Sequence, residues 1–319
     1  MGGERQPHVV VIGGGTGLGV LLRGMKHHPL ELTAIVTVAD DGGSSGRLRT
    51  DLQMPPPGDI RNVLLALADA EPLLKSIFEY RFQNGDGLRG HAVGNLILAA
   101  MKDITGDFTQ AIKELSRVLA VRGRVLPASE QDVVLVAEMT DGTIVRGESQ
   151  IPKSGKKIRK VYLEPPNPRP LEEAIQAIED ADLIVIGPGS LYTSVIPNLL
   201  VKGMAEAIRS SRAEKVYIGN VMTQPGETCG YTAHDHLAVI EQHMGGRIID
   251  TVLLNSEIPE VSILKPYAEE GSEPVFPDCE RLIESGYHVI ADNFIQYQDQ
   301  VIRHNAQRLS QHLLRIVRA

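Results

Sequence analysis

The 319-residue sequence contains no tryptophan and only 4% aromatic residues, which leaves little material for the aromatic platforms on which nucleic-acid bases stack. A basic excess is missing too. Thirty-two Lys and Arg stand against 40 Asp and Glu, a formal net charge of −8, whereas broad nucleic-acid binding needs a basic surface to neutralise phosphates. Only a local basic pocket stays compatible with that balance. The two cysteines, Cys229 and Cys279, are too few and too far apart for a disulfide framework or a cysteine-based zinc site, and they fit a reducing compartment, read here as the cytosol. The opening Met1–Pro7 lacks the basic start and apolar stretch of a secretion signal, and Gln6 stands where a myristoylation signal wants Ser or Thr. No apolar run approaches membrane-spanning length, so no membrane insertion is expected. HExxH, a Ser-His-Asp order and other strong metal-ligand motifs are also missing.

What is present is alternation. Apolar runs of strand length occur at Val9–Ile12, Ala34–Val38, Leu183–Ile186, Val216–Ile218, Ile248–Leu254 and His288–Ile290. Between them lie helical patterns at Gly17–Lys26, Asp59–Asp69, Ala92–Met101, Thr109–Leu119, Leu171–Glu179, Pro197–Ser210, His234–His243 and Tyr297–Val317. This predicts an α/β fold with a doubly wound, mainly parallel Rossmann-like sheet covered on both faces. The rhythm breaks at Val133–Met139, Thr143–Gly147 and Lys157–Leu163, strand-type segments with an Asp141-Gly142 turn and no helix between them. A small antiparallel β insert is therefore expected over residues 124–168, ending in the proline-rich Pro165–Pro170, inside one nucleotide-binding domain spanning 1–319.

The run Val9-Val10-Val11-Ile12 leads into Gly13-Gly14-Gly15-Thr16-Gly17-Leu18-Gly19, a strand, a turn and a helix start. Phosphate fits such a turn because glycines let backbone N–H groups approach it and the helix N-terminus carries partial positive charge. Counted from Gly13, Leu18 occupies the third glycine position of the dinucleotide fingerprint, which weakens a nicotinamide-dependent oxidoreductase; no Gly-Lys-Ser/Thr follows, so this is not a P-loop. A turn needing glycine for packing alone would read the same way.

About twenty residues on, where dinucleotide enzymes keep a ribose-binding acid, Asp40 and Asp41 precede Gly42-Gly43-Ser44-Ser45. Paired carboxylates there bind ribose hydroxyls or hold Mg²⁺ beside a diphosphate; the alternative is an acidic turn in water. Asp59 opens a helix as a cap or a ligand, followed by Arg61, placed to pair with an acid or a phosphate, and Asn62. His91 and Asn95, four residues apart in a glycine-rich approach to the next helix, form a candidate pair. A second strand-end turn, Gly187-Pro188-Gly189-Ser190, and the strand-end amides Asn220 and Asn255, base or sugar readers or else turn residues, complete the set; Arg303 and His304, early in the C-terminal helix, read more readily as a solvent-facing basic turn than as groups that close over a ligand. His27-His28 and His234-Asp235-His236 read as surface or capping residues. The C-terminal apolar stripe suits packing on the sheet or on a second copy of the chain, a homo-oligomer.

Taken together, Ile12–Gly19 (IGGGTGLG), Asp40–Gly46 (DDGGSSG), Gly58–Asn62 (GDIRN), His91–Asn95 (HAVGN), Gly187–Ser194 (GPGSLYTS) and Asn220–Thr228 (NVMTQPGET) closely resemble the bacterial gluconeogenesis-factor family, also called YvcK-like proteins, over about residues 8–305. The resemblance implies a cytoplasmic protein needed for growth and normal cell shape on gluconeogenic carbon sources, with UDP-glucose or UDP-N-acetylglucosamine as ligand. It also implies kinship with 2-phospho-L-lactate transferase, a Mg²⁺-dependent enzyme of the same fold. A regulatory nucleotide-sugar binder and a Mg²⁺-dependent transferase both follow from it. In the first, the glycine turns hold a diphosphate; in the second, Asp40, Asp41 and Asp59 gather metal while His91 or Arg61 steadies phosphate charge.

Overall fold

Every residue of the first strand, β1 (His8–Gly13), is buried, as expected of a Val/Ile run with apolar layers on both faces. The computed structural model describes residues 5–298 and 301–318; the readings of the extreme N-terminus and of Asp299 and Gln300 lie outside them. Alternation along β1 assigns the layers. Val9 and Val11 enter one core and Val10 and Ile12 the other, because successive strand side chains point to opposite faces.

Among the described residues the main sheet has seven parallel strands. Beside β1 they are β2 (Glu31–Val36), β3 (Arg124–Pro127), β7 (Leu183–Ile186), β8 (Glu214–Ile218), β9 (Thr251–Asn255) and β10 (His288–Asp292), in the order β10-β9-β8-β7-β1-β2-β3. A three-stranded antiparallel sheet holds β4 (Val134–Met139), β5 (Ile144–Arg146) and β6 (Ile158–Glu164), in the order β5-β4-β6. One core takes its apolar residues from α1 (Gly15–Met25), α3 (Gly58–Leu67), α4 (Pro72–Glu79), α5 (Val93–Thr105) and α6 (Phe108–Val118), with α2 (Gly43–Leu52) at its edge. The other takes them from α7 (Glu172–Glu179), α8 (Ile196–Leu199), α9 (Met204–Ser210) and α10 (Ala233–Met244), and from the antiparallel sheet, whose Leu135, Ala137, Val161 and Leu163 point inward. The expected α/β, doubly wound fold with an antiparallel insert is thus present.

Several boundaries differ, each for a physical reason. Arg124–Pro127, expected to start the insert, pairs with β2 as the edge of the main sheet; a parallel edge strand and an antiparallel one look alike over four residues. The expected helix Pro197–Ser210 is broken by Leu200–Gly203, where Gly203 takes φ +82°. α2 begins at Gly43, inside a Gly-Ser-Ser-Gly stretch whose low helix propensity reads as loop. Three further short helices, α4, α11 (Val261–Glu269) and α12 (Cys279–Glu284), stand outside the expected set.

The largest correction is at the C-terminus. Tyr297–Val317 is not one helix: β11 (Ile295–Gln298) and β12 (Val301–His304) form an antiparallel pair, and only α13 (Ala306–Val317) is helical. The Asn305 side chain sets that start by accepting the Arg308 N–H at 3.1 Å. Leu309 and Leu313 of α13 then pack in the core with α1.

Candidate functional site

From β1 the chain winds outward to β2 and β3, crosses through the insert, and re-enters the sheet as β7 on the other side of β1. The winding therefore reverses between β1 and β7, and beyond the carboxyl ends of two such strands an open α/β sheet leaves a crevice. Both glycine turns sit there. The Gly187 N–H donates to the Ile12 carbonyl at 2.8 Å, and Asn198 donates through Nδ2 to the carbonyls of Gly13 (3.1 Å) and Ser194 (2.8 Å). Asn220, at the end of β8, donates to the Gly189 carbonyl at 2.9 Å and accepts from the Tyr217 hydroxyl at 3.3 Å. Pro188 packs against Gly13 and Gly17, and Ser190 opens a wide helical turn over Leu191–Val195. Thr16, Gly17 and Asn220 line a cleft of about 570 Å³ with the Val221–Pro225 loop, Tyr267 of α11 and Val301–His304 of β12. Arg303 thus reaches the cleft from a strand and not, as expected, from a helix. His304 donates through Nε2 to the Gly219 carbonyl, 3.1 Å away, and its burial lowers its pKa.

The acidic residues gather beside the turns. Asp59 does not cap its own helix: its Oδ2 accepts the Gly15 N–H at 2.9 Å, at the first turn of α1. A carboxylate thus takes one of the donors that a helix start offers to anions. Burial first, then the charge of Asp40, raise the Asp59 pKa to about 6, against the pull of the Gly15 N–H and of Arg61. Asp40 accepts the Gly42 N–H at 2.8 Å, and Asp41 accepts the Ser149 N–H at 2.8 Å, from the insert. Gly147, at φ +100°, lets the insert backbone come against the Asp41 carboxylate.

That contact carries Glu148 in beside the cluster, where burial and then the charges of Asp40, Asp41 and Asp59 raise its pKa to about 8. Glu227 is the other acid that sequence reasoning missed. It accepts from the Thr193 hydroxyl (3.0 Å), the Gln224 amide (2.7 Å) and the Tyr192 N–H (3.3 Å), and burial pushes it up to about 7. Glu227 lies inside the Asn220–Thr228 motif already singled out, whereas nothing in the insert sequence distinguishes Glu148. Among the described residues no three His, Cys, Asp or Glu side chains stand together as a ready-made cation site.

Behind this cluster runs a buried polar chain. Ser44, in the first turn of α2, shares a hydrogen bond of 3.0 Å with His91 Nδ1 and accepts from Asn95 Nδ2 at 3.1 Å. Asn95 Oδ1 accepts from Arg61 Nη1 (3.1 Å), and Asn62 Oδ1 accepts from Arg61 Nη2 (2.6 Å). His91 and Asn95 therefore do meet, but through Ser44 and not along one helix face, since α5 begins only at Val93. Arg61 pairs with these amides and not with an acid. Ser45 is buried next to Gly58 and Asp40.

Two expectations are corrected. The Asn255 amide closes a local turn, donating to the Glu257 carbonyl at 2.6 Å and accepting from the Phe294 N–H at 3.1 Å, and it lies outside the residues that line the cleft, whereas Asn220 is among them. In the His234-Asp235-His236 trio, Asp235 completes a capping box with Thr232, but His236 is buried, with Nδ1 at the Thr232 carbonyl, 2.8 Å away.

Comparison with known proteins places this architecture. The sequence pattern of the 2-phospho-L-lactate transferase CofD family matches residues 9–295. The gluconeogenesis factor of Halalkalibacterium halodurans is 58% identical over 310 residues, covering 97% of this chain and 96% of that protein. The gluconeogenesis factor of Bacillus subtilis is 55% identical over 314 residues, covering 98% and 99%. A crystal structure of a upf0052-family protein from Bacillus halodurans, 58% identical, superposes with a TM-score of 0.95 over 97% of this chain and 100% of that one. The chain belongs to the CofD-like family and, within it, to the gluconeogenesis factors.

Proposed function

We propose that this protein is a cytosolic nucleotide-sugar-binding factor, with a UDP-sugar as ligand, acting in a regulatory role in growth and cell-shape maintenance under gluconeogenic conditions. The observation that carries the reading is the meeting of two glycine turns, Gly13–Gly17 and Gly187–Ser190, at the strand-order reversal, beside a 570 Å³ cleft that Thr16 and Gly17 of the first turn line together with Asn220, which is bonded to Gly189 of the second. That volume falls in the range of ordinary ligand pockets. The diphosphate sits at the two turns, Asn220 reads the base or sugar, and Arg303 adds positive charge from the far wall. No helix among the described residues is long and apolar enough to cross a membrane, and Cys229 and Cys279 are unbridged.

Asp59 sets a condition on this reading. With one carboxylate already on the Gly15 N–H and Asp40 beside it, a diphosphate approaching the same turn meets like charge. Protonation of Asp59 relieves the conflict, and so does a divalent cation. The donor set suits Mg²⁺, which takes oxygen ligands and is commonly held by one or two carboxylates, with water and ligand phosphates completing its octahedron. Asp40 and Asp59, with Asp41 next in line, would hold it, and the cation would supply charge neutralisation at the phosphates.

The same acidic cluster, together with the family match, favours a second reading, a Mg²⁺-dependent transferase on a nucleotide-linked or phosphorylated substrate. One experiment separates the two. Calorimetric titration with UDP-glucose, UDP-N-acetylglucosamine, NAD and GDP, each with and without Mg²⁺, is followed by a product assay on every binder. Binding of a UDP-sugar without turnover supports the regulatory factor; turnover supports the transferase. Failure of all UDP-sugars to bind, or full binding after Gly15→Val and Asp40→Ala together, sinks the nucleotide-sugar reading.

A further inference from the structure

Away from the cleft, two arginines from separate elements converge on one short piece of backbone. Arg47 of α2 donates through Nη2 to the Arg89 carbonyl at 2.7 Å, and Arg81, just past α4, donates through Nη1 to the Gly90 carbonyl at 2.6 Å. The next residue is His91. Its Nδ1 is tied to Ser44, the one side-chain hydrogen bond the ring makes to a described residue, and its Nε2 carries none. Neither Arg47 nor Arg81 forms an ion pair with a described carboxylate, although Asp51 on α2 and Glu79 at the end of α4 send negative charge toward this corner. Burial, then Arg47 and less strongly Arg81, lower the His91 pKa against the pull of Asp51, so both guanidinium groups act at the His91 ring. Guanidinium groups held in place by carbonyls, with their remaining N–H donors free of carboxylate, match the planar geometry by which arginine recognises phosphate.

We propose that Arg47, Arg81 and the Nε2 edge of His91 form a phosphoryl-binding subsite for a small phosphorylated ligand, separate from the nucleotide cleft. Arg47 also lines a groove with Asp41, Arg49 and Thr50 between α2 and the insert, whereas the cleft lies on the Thr16 and Asn220 side. A phosphoryl group bound here touches His91, and through Ser44 it touches the turn that carries Asp40 and Asp41. The subsite goes beyond the nucleotide-sugar reading and stands without it.

The test uses the full chain and inorganic phosphate as probe, read by histidine side-chain NMR and by calorimetry. Phosphate produces a saturable shift of the His91 signals and raises its titration midpoint, because the anion stabilises the imidazolium. Arg47→Gln with Arg81→Gln weakens phosphate binding at least about tenfold, the loss of charge-assisted hydrogen bonds. Arg49→Gln, which removes a charge of the same helix that is ion-paired to Asp132 at 2.6 Å, leaves it unchanged. If the double variant does not fold, the single variants and the wild-type His91 titration decide. The proposal is overturned by a His91 signal that ignores phosphate, by equal affinities in Arg47→Gln and Arg49→Gln, or by displacement of phosphate when a UDP-sugar saturates the cleft. If no UDP-sugar binds, the nucleotide reading alone fails, and the His91 response still judges the subsite.

Discussion

Replacing Gly14 with alanine tests the glycine turn at its tightest point. Gly14 adopts φ −169°, extended backbone open to any residue, so the effect is steric and owes nothing to backbone strain. An added Cβ would stand 2.7 Å from Asp59 Oδ2 and 2.7 Å from Thr37 Cγ2, closer than real carbon contacts permit. Thr37 is buried and Asp59 is fixed by the Gly15 N–H, so the turn itself must move. Overpacking of this kind costs about 1–3 kcal/mol, or several degrees of melting temperature for a chain of this size.

Its neighbour supplies the control. A Cβ on Gly13 would meet only Pro188 O at 3.7 Å and Gly187 Cα and Leu18 Cδ1 at 3.8 Å, which is ordinary contact. Scanning calorimetry and titration with UDP-N-acetylglucosamine read both variants. Gly14→Ala lowers the melting point and weakens binding, while Gly13→Ala stays close to wild type. Equal behaviour of the two variants, in either direction, refutes the assignment of the turn as a close-fitting wall of the site.

Asp59→Asn removes a carboxylate whose folded pKa, about 6, lies above its ordinary value of 3.8. In the wild type the unfolded chain loses that proton first, so stability falls as pH rises from about 4 to about 6 and stays lower above; urea unfolding at pH 5 and 8 should show the variant about 1–3 kcal/mol less penalised at the higher pH. Ser44→Ala leaves the Asn95 amide and the His91 ring without their shared partner, and chemical denaturation should register a loss of about 1–3 kcal/mol. Mg²⁺ should raise the UDP-sugar affinity of the wild type by about tenfold and leave that of Asp40→Asn unchanged; a Mg²⁺ response that survives the substitution removes Asp40 from the cation's ligands.

Local pattern made much of this protein legible. Val9–Ile12 followed by five residues containing four glycines specifies a buried strand, a turn and a helix start, because each signal is contained in about ten neighbouring residues. The Asp141-Gly142 turn likewise marked the antiparallel hairpin, and Gly142 takes the left-handed φ of +82° that such a turn uses. The C-terminal stretch was misread because Val301 and Ile302 fit a helical stripe as well as a strand, and what separates the two is pairing with Ile295–Gln298 across the hairpin.

The sequence alone determined the layered α/β class, the two glycine turns and the acidic pair after β2, all consequences of hydrophobic period and turn chemistry. Only the tertiary structure decided that Asp59 serves the first turn of α1 instead of its own helix, that the insert presses Glu148 against Asp40 and Asp41, and that Ser44 joins His91 to Asn95. Those contacts span 44 to 108 residues of separation. Chain-local propensities do not encode which distant side chains meet, and burial, charge repulsion and hydrogen bonding at those meetings set the chemistry of the site.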